Sequence, residues 1–492
     1  MRSFFAQIIL CLITQVAFTQ QIITYSNSNT KNLTPTVRFY SLLPQRNWLR
    51  VREFPVFKTK EDSLEAVALE IQINMPVELS NKLMEKRWDS LMNKRKEIFE
   101  NRIIGTYKIY YPNPKYYSLD SLIKTKNYAE VKQLSISNRS SIPDEVLQCT
   151  NIEKIEFINT TLDEIPDKLN ALTHLSSIEV YNNKSKAALR LGENQYIKSM
   201  MLQYNEPQSL PHTYKRIKNL EMLKLNHDGL TQFVNGAKRN KKLKFLDLSD
   251  NNISFHHGRI AKHKNLKSLT ATRNNITTVP ASIRKLKALA DLTLAYNAIN
   301  SVSPKISKLQ GLIQLSFYKN ELPDIPSGVF NISGLRVMDL YYNQIETIPD
   351  DIVGLQRLAI LYISFNKLTS VSNNLGELTD LREVYLHNNR LGALPESLGN
   401  LKEVKILRVN DNYLTQLPPS LSNLSKLEIL DMARNNMKNL PCDPSIFSNL
   451  ANLDLSGNPW ANQEEMTTLI KKLTDRGTIV KNFPIGSDWK DR

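Results

Sequence analysis

The chain has 492 residues, of which 41% are hydrophobic and 23% are charged, and its formal net charge is +16. These proportions are close to globular averages, so they exclude a largely disordered chain and a multi-span membrane protein. The length predicts several domains or one extended repeat architecture. A basic chain can bind anionic partners. Because the lysines are scattered and not interleaved with base-stacking aromatic residues, we predict no nucleic-acid partner.

The N-terminus has the pattern of a secretory signal peptide. Arg2 precedes an apolar run over residues 8–18 that is too short to span a bilayer, and small residues precede Gln20. We therefore predict a signal peptide over residues 1–20, export of the protein and no transmembrane segment. A buried N-terminal strand or helix is the alternative. Leu10 stands where a lipoprotein signal needs a small residue before Cys11, which argues against lipid anchoring.

Residues 21–117 form an N-terminal α+β segment of no recognised family. Alternating apolar residues predict a strand over residues 69–75, and an apolar stripe predicts a helix over residues 78–102. The rest of this helix is basic. A basic amphipathic helix can lie on a membrane, but packing on the first repeat is the commoner arrangement and the one we favour. A short helix over residues 119–127 is predicted to introduce the repeats.

One repeated pattern dominates the chain from about residue 118 onward. The block that begins at Leu381 reads LxxLxLxxNxLxxLPxxLxxL, with Val384 at one leucine position. Equivalent blocks begin every 23 residues from Ile197 to Leu450, without insertion or deletion, and three earlier blocks begin at residues 131, 152 and 175. Since one such unit cannot bury its own leucines, successive units must stack and share a core.

This signature resembles that of the leucine-rich-repeat superfamily. The 23-residue unit with its LPxxL segment is similar to repeats of bacterial secreted and surface proteins, and to those of cytosolic small-GTPase scaffolds. The resemblance implies an α/β, β-rich solenoid over residues 118–458. Its form would be a horseshoe with a parallel sheet on the concave face and helical caps at both ends. Residues 459–492 form the C-terminal cap.

The spacing assigns a role to each position that recurs from one repeat to the next. Within one block, Val384 and Leu386 point inward while their neighbours point outward. Polar side chains occupy the turn after the strand, where an asparagine amide can satisfy buried backbone groups. Asp228 and Thr160 can substitute for asparagine there, whereas Arg139 does not, so the first unit is a transition into the cap. Prolines after the second leucine pair predict a convex side of turns or short 3₁₀ segments.

The C-terminal cap is predicted from a helical stripe. Met466, Leu469, Ile470 and Leu473 lie on one face of a helix over residues 463–473, and a short strand over 478–480 follows.

The cysteines outside the predicted signal peptide are Cys149 and Cys442. With neighbouring strands ~4.8 Å apart, the repeat register separates them by about 60 Å, far beyond the ~7 Å reach of a disulfide. We predict no internal disulfide, which for an exported protein favours a bacterial envelope.

The repeat register also identifies an exposed surface. The third, fifth, seventh and eighth positions of each block point outward and form columns on the concave face. In five consecutive repeats these columns hold Tyr296, Tyr318, Tyr341, Tyr342, Tyr362, Phe365 and Tyr385, and His387 and Arg408 complete the predicted ligand-binding set. Tyr181, Tyr204 and Phe245 occupy comparable positions nearer the N-terminus. Such a stripe favours a protein partner, with a polysaccharide as the second choice. The alternative is that the rings only pack together and stiffen the sheet.

Motifs for catalysis and metal binding are missing from the sequence. We find no phosphate-binding glycine loop, no GxSxG, no HExxH and no Cys/His metal spacing, so we predict no catalytic residue, no cofactor and no metal. His256, His257 and His263, with His227 one repeat earlier, come closest to a metal cluster. We place the first three on outer turns, where surface histidines are ordinary.

These observations predict a non-enzymatic protein-binding module for recognition or adhesion, secreted or at the cell envelope (periplasm or cell surface) of a bacterium. One alternative is an intracellular signalling scaffold that resembles the small-GTPase-binding members, which requires a retained N-terminus. Another is a structural cell-surface spacer.

Overall fold

The computed structural model describes residues 50–57, 103–111, 117–206, 210–212, 214–231, 240–255, 263–440 and 447–483. The chain divides into two compact units, with the boundary between Tyr116 and Tyr117. In the first unit, strand Arg50–Phe57 pairs antiparallel with strand Ile103–Tyr111. The predicted signal peptide, the strand over 69–75 and the helix over 78–102 lie outside the described residues.

The second unit is a solenoid built on one parallel sheet. Each strand pairs with the strand of the next repeat, and in the regular repeats the paired residues are 23 positions apart, as in Val384 with Leu407. Pairing proceeds from the first strand to the last, so the sheet is open, and the predicted solenoid is confirmed. Its strands are Tyr117–Ser118, Gln133–Ser137, Lys154–Ile158, Ser177–Tyr181, Ser199–Gln203, Met222–Asn226, Phe245–Asp247, Ser268–Thr270, Asp291–Thr293, Gln314–Ser316, Val337–Asp339, Ile360–Tyr362, Glu383–Tyr385, Ile406–Arg408, Ile429–Asp431, Asn452–Asp454 and Ile479–Lys481.

The core is a continuous stack of leucine layers. In one repeat, Leu381, Val384, Leu386 and Leu391 are all fully buried, and the neighbouring repeats bury the equivalent residues. Each such side chain contributes about 1.5–3 kcal/mol on burial. Because every layer is covered only by the layers on either side, the array is stable as a stack and not as separate repeats.

The convex side consists of short 3₁₀ helices, as predicted. Seven of the described 3₁₀ helices begin directly after a proline, whose fixed φ angle suits the entry into such a turn. Their turns stack so closely that a Cβ on Gly354 would overlap the carbonyl oxygen of Phe330 in the preceding repeat. In the part of the chain that the structure describes, the 3₁₀ helices are Tyr128–Glu130, Asp144–Gln148, Asp167–Ala171, Ala281–Lys285, Pro304–Lys308, Ser327–Asn331, Asp350–Gly354, Asn373–Glu377, Glu396–Asn400 and Pro419–Asn423.

Among the described residues, three pairs of two-residue strands accompany the turns outside the main sheet. They are Glu164–Ile165 with Arg190–Leu191, Thr278–Val279 with Ser301–Val302, and Thr347–Ile348 with Ser370–Val371.

An asparagine ladder joins the repeats where the strands end. The amide nitrogen of Asn343 donates to the carbonyl oxygen of Phe317 at 2.9 Å and to that of Leu340 at 3.1 Å. Its side-chain oxygen accepts from the backbone N–H of Leu322 at 3.1 Å. The predicted structural role of these asparagines is confirmed. Asp228 departs from the pattern, because its Oδ1 accepts from the N–H of Asn205 but its buried Oδ2 has no hydrogen-bond partner.

The residue at the eighth position of the repeat has a left-handed backbone conformation. This differs from our expectation that it is an outward-facing residue of the strand. In the repeats of the aromatic stripe the strands end at the fifth position, as in Glu383–Tyr385. The backbone then turns into the asparagine ladder through a residue with positive φ. This holds for Tyr204, His227, Asp250, Arg273, Tyr296, Lys319, Tyr342, Phe365, Asn388, Asp411 and Arg434.

A helix covers each end of the sheet. At the start, helix Leu119–Thr125 is capped by Ser118, and Arg139 pairs with Asp120 at 3.1 Å, as expected of a transition into the cap. At the far end, helix Gln463–Asp475 buries Met466, Leu469 and Leu473.

The final strand, Ile479–Lys481, follows this helix one residue later than predicted. Among the described helices, none is long and apolar enough to cross a membrane. Cys149 is a buried free thiol, whereas Cys442 lies outside the described residues.

Candidate functional site

The predicted aromatic residues form one connected cluster on the concave face. Adjacent rings of neighbouring repeats have centroids 5.1 Å apart for Tyr296 and Tyr318, and 4.8 Å apart for Tyr362 and Tyr385. Because these contacts join five repeats without a gap, we treat the cluster as one surface. The aromatic patch is defined as Tyr296, Tyr318, Tyr341, Tyr342, Tyr362, Phe365 and Tyr385.

Tyr341 lies at the centre of the aromatic patch. Its ring contacts those of five other patch residues, with centroid distances from 5.5 to 6.4 Å, and that of His387 at 5.5 Å. Aromatic pairs of this kind each contribute about 0.5–1.5 kcal/mol beyond burial. The patch is therefore rigid, and the packing role that the sequence allowed is present.

Packing between the rings does not bury the whole patch, because several rings remain exposed to solvent. Tyr296, Tyr342 and Phe365 expose 38%, 40% and 36% of their surface. Tyr342 and Phe365 stack on each other, with centroids 4.2 Å apart and an interplanar angle of 13°. One face of each ring is therefore covered by the other ring.

Hydrogen bonds fix the polar groups around the rings. The Tyr385 hydroxyl donates to Glu383 Oε2 at 2.9 Å, and Ser364 Oγ bonds His387 Nδ1 at 2.8 Å. Burial lowers the pKa of His387 to about 4, so its imidazole is neutral near pH 7. A hydrogen bond with Tyr296 and then burial raise the pKa of Tyr318 to about 12. Burial also raises the pKa of Tyr341, so the patch offers neutral hydroxyls.

Four cations flank the patch on the same face. Lys319 Nζ lies 5.0 Å from the centroid of the Tyr296 ring, and Arg408 Cζ lies 6.0 Å from that of Tyr385. Both distances are within the range of cation–π attraction. Arg273 and Arg434 lie in the eighth-position column, and each is hydrogen-bonded to the aspartate of the preceding repeat, Asp250 and Asp411 respectively.

The aromatic residues nearer the N-terminus do not extend the patch. Phe245 is 41% exposed, and Tyr204 packs against His227 with ring centroids 4.5 Å apart. Tyr181 is only 1% exposed, so its predicted exposure is wrong. His263 is also buried, contrary to the predicted surface position, and burial lowers its pKa to about 4.

Tyr181 belongs to a buried polar network that the sequence did not indicate. Its hydroxyl donates to Glu179 Oε2 at 2.6 Å. Lys154 Nζ lies 2.7 Å from Glu179 Oε1 and 3.1 Å from Glu156 Oε1. Burial raises the pKa of Glu156 to about 7. The register places all four residues at outward positions, so it predicted exposure where the structure shows burial.

Metal ligands are not gathered at any of these places. No group of three or more histidine, cysteine, aspartate or glutamate side chains is arranged to hold a metal ion in the part of the chain that the structure describes. His256 and His257 lie outside that part.

A family model described as leucine rich repeat matches residues 310–368 and 379–437. Both segments lie in the solenoid, whose fold is that of leucine-rich repeats. The matched leucine-rich repeats contain every residue of the predicted binding set except Tyr296. No curated protein sequence matches the chain.

Solved structures share the leucine-rich-repeat fold. A leucine-rich-repeat protein of Leptospira interrogans is 24% identical, with a TM-score of 0.58, and the match covers 74% of this chain and 99% of that one. The Toll–Spätzle complex of Drosophila gives 17% identity and a TM-score of 0.55 over 69% of this chain and 51% of that one. The plant peptide hormone receptor RGFR1 in complex with RGF2 gives 20% identity and a TM-score of 0.51 over 72% of this chain and 60% of that one.

Proposed function

We propose that the chain is a non-enzymatic protein-binding module that uses the aromatic patch to recognise or adhere to its partner. The signal-like N-terminus favours export to the surface or periplasm of a bacterium. Neutral tyrosine hydroxyls on rigid rings supply contact area and hydrogen bonds at little entropic cost, which is the composition of protein-binding hot spots.

The observation that carries the proposal is the backbone conformation of the exposed rings. Tyr342 and Phe365 both have a φ of 54°. A bulky residue in this left-handed region is disfavoured, whereas asparagine and aspartate are tolerated. The next two repeats have Asn388 and Asp411 at the same position. A purely structural turn would be better served by those residues, so exposed aromatic side chains there favour binding over packing alone.

Two proteins with the same fold support a protein ligand. Toll is in complex with Spätzle, and RGFR1 is in complex with RGF2. We extend this capacity to the present chain as part of the proposal, with the aromatic patch as the contact surface.

The test compares two substitutions that the turn tolerates. The full-length protein is used to capture partners from an envelope extract of its native organism, and the partners are identified by mass spectrometry. The double variant Tyr342→Asn, Phe365→Asn should keep the circular dichroism spectrum of the native protein and bind the partner about 10- to 100-fold more weakly.

Tyr413→Asn is the matched control. Tyr413 is 59% exposed but lies one residue past the ladder asparagine, outside the concave columns, so its variant should bind as the native protein does. Equal affinity of the double variant and the native protein would refute the patch as the binding site and would favour the spacer function. N-terminal sequencing of the mature protein separates the remaining alternative, since a start at Met1 supports the intracellular scaffold and a start near Gln20 supports export.

A further inference from the structure

The aromatic patch is bracketed by two cations that have no hydrogen-bonded carboxylate. Lys319 lies at its N-terminal side and Arg408 at its C-terminal side. Within the described residues, neither side chain donates a hydrogen bond to an acidic group. Arg273 and Arg434 on the same face are each held by an aspartate, Asp250 and Asp411. Lys319 and Arg408 are therefore the two of these four cations that can still donate hydrogen bonds to an acidic group of a ligand.

Arg408 is a donor with unused capacity. Its Nε is buried and has no hydrogen-bond partner. Its Nη1 lies 4.0 Å from Asp431 Oδ2, too far for a hydrogen bond. The side chain nevertheless stays 42% exposed, so a ligand can reach it. A guanidinium fork matches a carboxylate in two parallel hydrogen bonds, which would satisfy the donors that the protein leaves open.

The distance between the two cations sets the length of the ligand. Lys319 follows strand Gln314–Ser316, and Arg408 ends the strand four steps further along the sheet. At ~4.8 Å per step, with the offset along the strands, the two cations are about 20 Å apart, which is the length of about six residues of extended chain. Apolar side chains between two such acidic groups would lie over the rings.

The orientation of the rings favours a peptide over a sugar or a nucleobase. Sugars and bases stack on a free ring face. Tyr342 and Phe365 cover each other, Lys319 lies over Tyr296, and Arg408 lies over Tyr385. Each of these four rings therefore has one face already occupied, which leaves fewer free faces for a sugar or a base and favours aliphatic side chains and peptide groups.

We propose that the aromatic patch binds an extended peptide segment with apolar side chains flanked by two carboxylates about six residues apart, one at Lys319 and one at Arg408. This inference rests on the proposed protein-binding function and specifies the chemistry of the partner.

A random linear dodecapeptide library, displayed on phage and selected on the full-length protein, tests the inference. Selected sequences should carry two acidic residues at the stated spacing. The best peptide and its Asn/Gln counterpart are then titrated by fluorescence anisotropy against the native protein, Arg408→Gln and Lys319→Gln. Loss of one charge-assisted hydrogen bond should weaken binding of the acidic peptide about tenfold or more in each variant. The amide peptide should bind the native protein and both variants equally.

Two controls and a second substitution keep the result interpretable. Arg357→Gln and Lys308→Gln change the same charges at exposed positions outside the concave columns and should leave affinity unchanged. Arg408→Lys keeps the charge but loses the forked guanidinium, so its affinity for the peptide should fall between that of the native protein and that of Arg408→Gln. Circular dichroism confirms that each variant is folded.

The outcomes separate the inference from the function beneath it. The inference is wrong if the selected peptides lose affinity for the Tyr342→Asn, Phe365→Asn variant but carry no paired acidic residues. It is also wrong if their affinity is unchanged by Arg408→Gln. In both cases the proposed function stands. If the peptides bind the Tyr342→Asn, Phe365→Asn variant and the Arg408→Gln variant as tightly as the native protein, the proposed function is wrong as well. If heparin or single-stranded RNA binds through Arg408 and no peptide does, the partner is a polyanion of another class and the peptide proposal is wrong.

Discussion

Asp228 should make the stability of the array depend on pH. It occupies the ladder position that asparagine fills in most other repeats, and its side chain is completely buried. Burial raises the pKa of this carboxyl from 3.8 to about 7. Above pH 4 the unfolded chain releases this proton, whereas the folded chain holds it until about pH 7. Stability should therefore fall as pH rises from 4 to 7 and then level off.

The size of the effect follows from the two pKa values. A difference of about three pKa units corresponds to about 4 kcal/mol at pH 8. Asp228→Asn removes the titrating group and supplies the amide donor that the other ladder positions use. The variant should be more stable than the native protein by several kcal/mol at pH 8 and by much less at pH 4.

Urea unfolding followed by circular dichroism at pH 4 and pH 8 measures this difference. Asn343→Asp is the matched control. Its carboxylate would face the carbonyl oxygens that now accept from the amide, so it should destabilise the array, most strongly at pH 8. A difference between Asp228→Asn and the native protein that stays constant between the two pH values would refute the reasoning.

Two further predictions follow from close packing. Gly354→Ala places a Cβ against the carbonyl oxygen of Phe330 and should destabilise the array by about 1–3 kcal/mol, whereas Gly392→Ala meets nothing within 4 Å and should be nearly neutral; equal urea midpoints would contradict the tight convex stack. Burial raises the pKa of the Cys149 thiol to about 11, so maleimide at neutral pH should label it only after unfolding. Peptide mapping checks this, and rapid labelling of the native protein would count against the buried position.

The amino-acid sequence alone determined the solenoid, its register and its ladder. Each repeat contacts mainly its two neighbours, so a fixed period places every leucine, asparagine and proline in the same local environment each time it recurs. For that reason the fully buried Val384, the hydrogen bonds of Asn343 and the 3₁₀ turns after proline could all be expected. The same register brought the rings from Tyr296 to Tyr385 to one face.

The tertiary structure decided what the period cannot encode. Tyr181 and Tyr385 hold outward positions in their repeats, yet the first is buried and the second is partly exposed. Arg434 is hydrogen-bonded to an aspartate one repeat away, while Arg408 only approaches the aspartate of its neighbouring repeat, Asp431, at 4.0 Å, because side-chain direction and reach differ between the eighth and fifth columns. The positive φ of Phe365 depends on how the strand must turn into the ladder. Period fixes the column of a residue, but packing across columns fixes its burial, charge state and free hydrogen-bond donors.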